Sequence, residues 1–519
     1  MPIKQNEQIY KGALLLSLSA VLVKLVGVIY KIPIAYLVGD EGMGYFNSAY
    51  TLYGFFFIIC SSGIPKAITM VVADIIAAGE NNVYAFIKKI LKIFLLFSFV
   101  LTVILLIISP ALSSLIGNKG ALFSIRAIMP SLVFITVLGV YRGYLNGVME
   151  FGVIAVSQVV EALLKLVFGL GLALIGASLG LELELICALS VFGITLSTVF
   201  AALYLAIMYK IIKKRDKARQ KIECYNRGYL LSTLKIALPI TLGSSMLSLS
   251  SVVDLGMIMH RLLSLGFTEA EASGAYGNYT TLAVPMLTLV ISLITPLAVA
   301  ILPRLRIDAS VKDFVSFKEN LKTSLVLTTV ISSFAFFVFS VYSEELLDLL
   351  FKTEAARYGA PLLTLLSPAI LFLSVSTVLN TALEALGKIK SAVASTLIGT
   401  AIKLVLGYFL IGNPALNILG APLGTVISYA VSLLISTILL TKYEGGRGVI
   451  YSVFPPLFIS FLSVYLPFYI KITFFTKAKS LGLCIIFCAV SAIFYLFLLS
   501  LSGILSKNMK FISKKRQNN

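Results

Sequence analysis

The 519-residue chain is short of charge and nearly without histidine: 13% of its residues are Asp, Glu, Lys or Arg, and His260 is its single histidine. One histidine excludes an HExxH motif and any metal site built on a pair of His ligands. No GxxxxGK[ST] stretch occurs, so ATP hydrolysis by a recognised phosphate-cradling loop is excluded as well. The longest hydrophilic stretch, Lys210 to Arg227, is too short to fold as a domain, so any function resides in the apolar bundle and its connections. The five cysteines, Cys60, Cys187, Cys224, Cys484 and Cys488, lie mostly in apolar runs and read as small core residues, without a disulfide or redox role.

What the chain does have is hydrophobic residues, 59% of the total, with a mean hydropathy of +1.00. No soluble domain of this size is so apolar throughout. Apolar stretches of spanning length number about fourteen, from 12–38 at the start to 481–506 at the end. The expectation is an all-α polytopic membrane protein, its first span a retained helix and not a cleaved signal. Most of the 42 Lys and Arg residues fall in the even-numbered connections and the two termini. The positive-inside rule therefore expects both termini in the cytoplasm. The net charge of +19 is then chiefly a topology signal, and the basic connection KIIKKRDKARQKIECYNR (210–227) reads as an anchor touching anionic membrane lipids, with no nucleic-acid role.

A repeat is visible. Lys165-Leu-Val-Phe-Gly169 recurs as Lys403-Leu-Val-Leu-Gly407, and Pro65-Lys66 as Pro303-Arg304, both at an offset of 238 residues. A duplicated unit of six spans ends on the side where it began, so the copies share an orientation. The expected architecture is two parallel six-helix lobes around a central cleft plus two extra helices. The lobes fall at 1–228, with the basic connection, and 229–448, and the appended pair with a basic tail at 449–519.

Charges inside spans are the candidate functional residues. Lys24 sits about 18 Å from the nearer end of the first span, beyond the reach of a snorkelling lysine. Lys31, two turns on, shares its face but is near enough to the outer end to snorkel. Glu161 and Lys165 are spaced to neutralise each other, or to serve a site. Asn380 and Glu384 share a helix face, and with Asp254 and Thr400 they offer oxygen atoms to a hard monovalent cation or, equally, to a helix-packing network. His260 beside Arg261 reads as an interfacial polar residue. An excess of buried cations points to a negatively charged substrate.

The stretches YRGYLNGVMEFGVIAVSQVVEALLKLV (141–167), LNTALEALGKIKSAVASTLIGTAIKLVLGYFLI (379–411), LGAPLGTVISY (419–429) and SSGIPKAI (61–68) resemble the stage V sporulation protein B and polysaccharide flippase family, related to lipid II flippases. The resemblance covers essentially the whole chain. It implies a non-enzymatic exporter of undecaprenyl-pyrophosphate-linked sugar, peptidoglycan precursor above all, working by alternating access in the cell membrane, with cell-wall synthesis proteins as potential partners. It implies Lys24 and Lys31 as cavity-lining cations, which with Lys66, Arg142, Glu161, Lys165, Arg261 and Lys403 make up the expected substrate-binding set, and it implies Asp254, Asn380, Glu384 and Thr400 as a sodium site, with proton coupling as the other option and no further cofactor. One departure is GNYTTLAVP (277–285), which has no base where lipid II flippases tend to carry a functional arginine. A cation-coupled drug exporter of the same superfamily and a scaffold in envelope assembly are the competing functions.

Overall fold

The computed structural model describes residues 2–78, 83–215, 227–351, 353–443, 446–474 and 481–503. Most of the basic connection, including Cys224, and the basic tail lie outside the described residues. Among the described residues the fold is all helical. Among the described residues eleven helical stretches are long and apolar enough to cross a membrane, compared with the fourteen expected. One of them, Leu18–Ile76, runs for 59 residues and holds the first two expected spans, and two shorter apolar helices, Gly228–Leu242 and Ile485–Leu501, lie at others.

By packing, the chain forms two compact units, Met1–Gly277 and Asn278–Asn519. The first begins with α1 (Pro2–Ser61), which breaks at Gly39. The break has φ 65° and ψ −169°, a conformation that costs glycine little and other residues much. There the chain doubles back, so that Tyr30 and Phe46, on opposite sides of the break, bring their rings to 6.0 Å. Then come α2 (Gly63–Ala77), α3 (Val83–Leu115), α4 (Leu122–Ile128), α5 (Ser131–Gly147), α6 (Phe151–Ser178), α7 (Leu183–Arg215), α8 (Arg227–Ser264) and α9 (Glu269–Asn278). A capping box opens α9: Glu271 accepts from the Thr268 N–H at 2.8 Å, and the Glu271 N–H donates to the Thr268 hydroxyl at 3.3 Å.

Glycines set the closest helix approaches in this unit. Gly139, Gly143 and Gly147 form a small-residue stripe on α5 that lies against Pro65, Ile68 and Val72 of α2. On α7, Gly193 meets the backbone of Gly169 on α6. Alternate connections gather at opposite ends, as repeated crossings require. At one end Cys187 donates to the Gly42 carbonyl (3.3 Å), Asn118 donates to Ser48 and Ser273 (2.9 and 3.1 Å), and Glu269 accepts from the Lys119 and Gly120 N–H groups. At the other, Arg215 pairs with Glu150 and Lys213 lies over the Tyr84 ring at 5.3 Å.

In the second unit a π-helical turn, Tyr279–Ala283, precedes α10 (Val284–Ser310). It lies within the arginine-free GNYTTLAVP stretch (277–285). The remaining helices are α11 (Phe314–Val341), α12 (Ser343–Leu350), α13 (Thr353–Ala385), α14 (Ile389–Ile411), α15 (Gly420–Thr441), α16 (Phe454–Phe474) and α17 (Leu481–Leu501). Asp313 caps α11 by accepting from the Ser316 N–H at 3.0 Å. The last two helices pack on α11 and α12, fastened by Lys471 on Glu345 (2.5 Å) and over the Tyr342 ring (5.2 Å).

The repeat extends into the backbone. The α5–α6 turn places Met149 at φ 62°, and 238 residues later the α13–α14 turn places Gly387 at φ 77°. Glu150 donates to the Leu145 carbonyl (2.9 Å) and Lys388 to the Leu383 carbonyl (2.8 Å), the same hydrogen bond at the same offset.

Candidate functional site

Within the first unit, polar side chains meet where the two arms of α1 pack on α6. Lys31, half-buried, donates to the Asn47 amide oxygen at 3.0 Å across the Gly39 break. Lys165 of α6 lies 5.3 Å from the Tyr30 ring centre and 4.8 Å from that of Tyr50. Lys31 directly follows Tyr30, on whose ring Lys165 lies, so the two ammonium groups belong to one neighbourhood. Neither has a carboxylate partner among the described residues: one is held by an amide oxygen, the other by aromatic faces. Burial among such neutral partners leaves the positive potential of the pair uncancelled.

Glu161 does not neutralise Lys165, as the i, i+4 spacing allowed. It turns to α5 and pairs with Arg142 at 2.7 Å, with both side chains still 20–25% exposed. The Arg142 Nε–H also donates to the Ser157 hydroxyl at 3.2 Å. Tyr30 is fixed in turn by its hydroxyl, which meets the carbonyl and the hydroxyl of Ser190 on α7, each at 2.9 Å.

Tyr30, Asn47 and Tyr50 were not among the sequence candidates. The signal for Tyr50 was the spacing of Phe46, Tyr50, Tyr53 and Phe57, at steps of four, three and four, which puts four rings on one face of the second arm of α1. They stack as a ladder, with centres 5.7–6.1 Å apart.

The remaining first-unit candidates lie elsewhere. Lys24 and Lys66 are exposed. Asp254, 9% exposed, lies deep in α8, and Arg261 is half-buried two turns further on. His260 meets the Leu115 carbonyl through Nε2 at 2.8 Å, a contact between α8 and α3.

The second unit brings Asn380 and Glu384 together on one wall of a cavity of about 240 Å³ between α13, α14 and α15. Hydroxyl groups organise the wall. The Asn380 amide oxygen accepts from Ser395 (3.0 Å) and Ser436 (2.7 Å), while Ser376 and Ser432 meet at 3.1 Å. Ser428, Ser432 and Ser436 form an i, i+4 stripe on α15 that the sequence displays but that was not singled out. Gly399 lets α14 approach α15 there, since a Cβ would stand 2.7 Å from the Ser428 carbonyl. Thr400 directs its hydroxyl to the Thr396 carbonyl of its own helix at 2.9 Å. Lys403 is half-buried on α14.

A family model described as polysaccharide biosynthesis protein matches residues 9–306, more than half of the chain. The chain belongs to that family. A second model, MatE, matches residues 273–409. Among relatives of this family member, stage V sporulation protein B of Bacillus subtilis (strain 168) is 24% identical over 439 residues, covering 83% of each chain. Lipid II flippase MurJ of the same organism is 23% identical over 468 residues, with 85% of this chain and 84% of the relative aligned. Among solved structures, the inward closed conformation of lipid II flippase MurJ covers 96% of this chain and 99% of its own at a TM-score of 0.70 and 14% identity. An inward-facing multidrug resistance MATE family transporter of the MOP superfamily covers 83% and 95% at a TM-score of 0.62 and 16% identity. These likenesses show that the chain has the fold common to those two transporters. With its apolar helices, it is a multi-pass membrane protein.

Proposed function

We propose that this protein is a flippase that carries an undecaprenyl-pyrophosphate-linked sugar, a peptidoglycan precursor such as lipid II, outward across the cell membrane by alternating access, with both termini in the cytoplasm. The observation that carries the reading is the Lys31–Lys165 pair, two ammonium groups on either side of Tyr30 without a carboxylate partner among the described residues. A pyrophosphate supplies the missing negative charge, and a compact ammonium is a common phosphate partner. Lys24, about 10 Å back along the same helix, is exposed where an approaching anion meets it first. The names of the two bacterial relatives support a role in envelope building, including sporulation. A drug exporter would be expected to bind cations in an acidic cleft, whereas the first unit offers Lys24, Lys31 and Lys66, and its Glu161 is bound to Arg142.

Coupling to a monovalent cation is part of the proposal, with Asn380 and Glu384 as the oxygen-rich wall and Asp254 and Thr400 as further candidates. The test of the main reading is transport by purified protein in vesicles, followed by access of an external probe to a labelled lipid-linked sugar. Probe access faster than in protein-free vesicles is expected; equal rates would sink the proposal.

A further inference from the structure

The 238-residue offset relates more than sequence. Arg142 corresponds to Asn380, Ser157 to Ser395, Asn146 to Glu384 and Glu161 to Gly399. The contact between the first two pairs is kept: Arg142 donates to Ser157 at 3.2 Å, and Ser395 donates to Asn380 at 3.0 Å. Each repeat also supplies one carboxylate beside this helical hairpin, but from different positions, Glu161 in the first and Glu384 in the second. Only in the first does the chain bring its own cation, the Arg142 guanidinium on Glu161 at 2.7 Å. Glu384 has no ion-pair partner among the described residues and lines a cavity of about 240 Å³.

We infer that Arg142 is a tethered cation: in the first repeat its guanidinium takes the place that the second repeat keeps for an exchangeable monovalent cation beside Asn380 and Glu384. The inference rests on reading the second-unit cavity as a cation site. It divides labour between the repeats. The α5–α6 hairpin is locked permanently by a covalently attached charge, while the α13–α14 hairpin is tightened only when an ion is bound. Cation coupling therefore belongs to one hairpin of the pair. Arg142 is thus a positioning residue, acting through Glu161 and Ser157.

The experiment measures the thermal stability of the full-length protein in detergent, with guanidinium chloride at low millimolar concentration as the probe and the second site silenced by Glu384→Gln. Guanidinium should raise the Tm of the Arg142→Ala/Glu384→Gln protein, leave that of Glu384→Gln unchanged, and lose its effect when Glu161→Gln is added. Arg142→Lys should need no guanidinium. Equal guanidinium responses with and without Arg142 would overturn the inference.

A converse variant covers the case in which Arg142→Ala does not fold. Asn380→Arg installs the tethered charge in the second repeat, where the cavity has room for it. Its Tm in choline chloride should match or exceed that of the wild type in sodium chloride, and sodium should add nothing. A protein less stable than sodium-free wild type, or one still stabilised by sodium, would count against the inference. A wild type indifferent to sodium would instead remove the cation reading of the cavity, and the guanidinium comparison at Arg142 would still be decided separately.

Discussion

Removing the positive pair is the most direct perturbation of the proposed mechanism. Lys165→Gln keeps a chain of similar length over the Tyr30 and Tyr50 rings but takes away the charge. A charge-assisted hydrogen bond is worth about 1.5 to 3 kcal/mol, so the loss of one ammonium–phosphate contact should weaken substrate binding by about 10- to 150-fold. Stability should move differently. The variant loses cation–π attraction of about 0.5 to 2 kcal/mol and at the same time relieves the repulsion between Lys165 and Lys31. These two effects oppose each other, so Tm should change little while binding falls. Lys31→Ala should weaken binding similarly but also lower Tm, because Lys31 ties Asn47 across the Gly39 break. The assay is flipping in vesicles as a function of labelled lipid-linked sugar, with Tm measured on the same preparations. If the Lys31→Ala/Lys165→Gln protein, folded and inserted at normal levels, flips at the wild-type rate with the same half-saturation, the anion-binding role of the pair is wrong.

Other expectations follow from the same geometry. Lys24→Glu should abolish flipping without loss of folded protein and Lys24→Arg should retain much of it, and a wild-type rate for Lys24→Glu would remove this residue from the path. Because outward movement of a negative headgroup is favoured by about 2.3 kcal/mol per charge per 100 mV in an inside-negative membrane, imposing such a potential should accelerate wild-type transport, and an unchanged rate would exclude this driving force. Sodium should raise Tm by mass action, an effect that Asn380→Ala and Asp254→Ala should each diminish; full sodium responses in both would place the ion elsewhere. Single cysteines at positions 217 and 477 should be labelled in intact cells only at 477, and equal labelling would reverse or break the proposed topology. Gly193→Val should cost about 1 to 3 kcal/mol or more, read as a loss of folded protein, since its side chain would meet the Gly169 backbone.

The sequence by itself determined the class of this protein and its duplication. Long apolar runs leave helices as the economical way to satisfy backbone hydrogen bonds in a bilayer, so the all-helical membrane fold is legible from hydropathy. The repeat was legible because an offset is a property of position, and Lys165–Gly169 and Lys403–Gly407 show it directly. What the sequence left undecided was which side chains pair. Glu161 had Lys165 one turn away on its own helix, yet the turn that joins α5 to α6 brings Arg142 back to it, and a guanidinium at 2.7 Å outcompetes a lysine drawn onto two aromatic rings. Asn47 became a partner of Lys31 only because Gly39 folds α1 back on itself, and Ser436 became a partner of Asn380 only because α15 lies against α13. Spacing along one helix fixes neighbours three or four residues apart, whereas contacts between helices depend on where small residues let backbones approach. In this protein those approaches, at Gly169, Gly193 and Gly399, together with the break at Gly39, decide which charges are cancelled and which are left to bind.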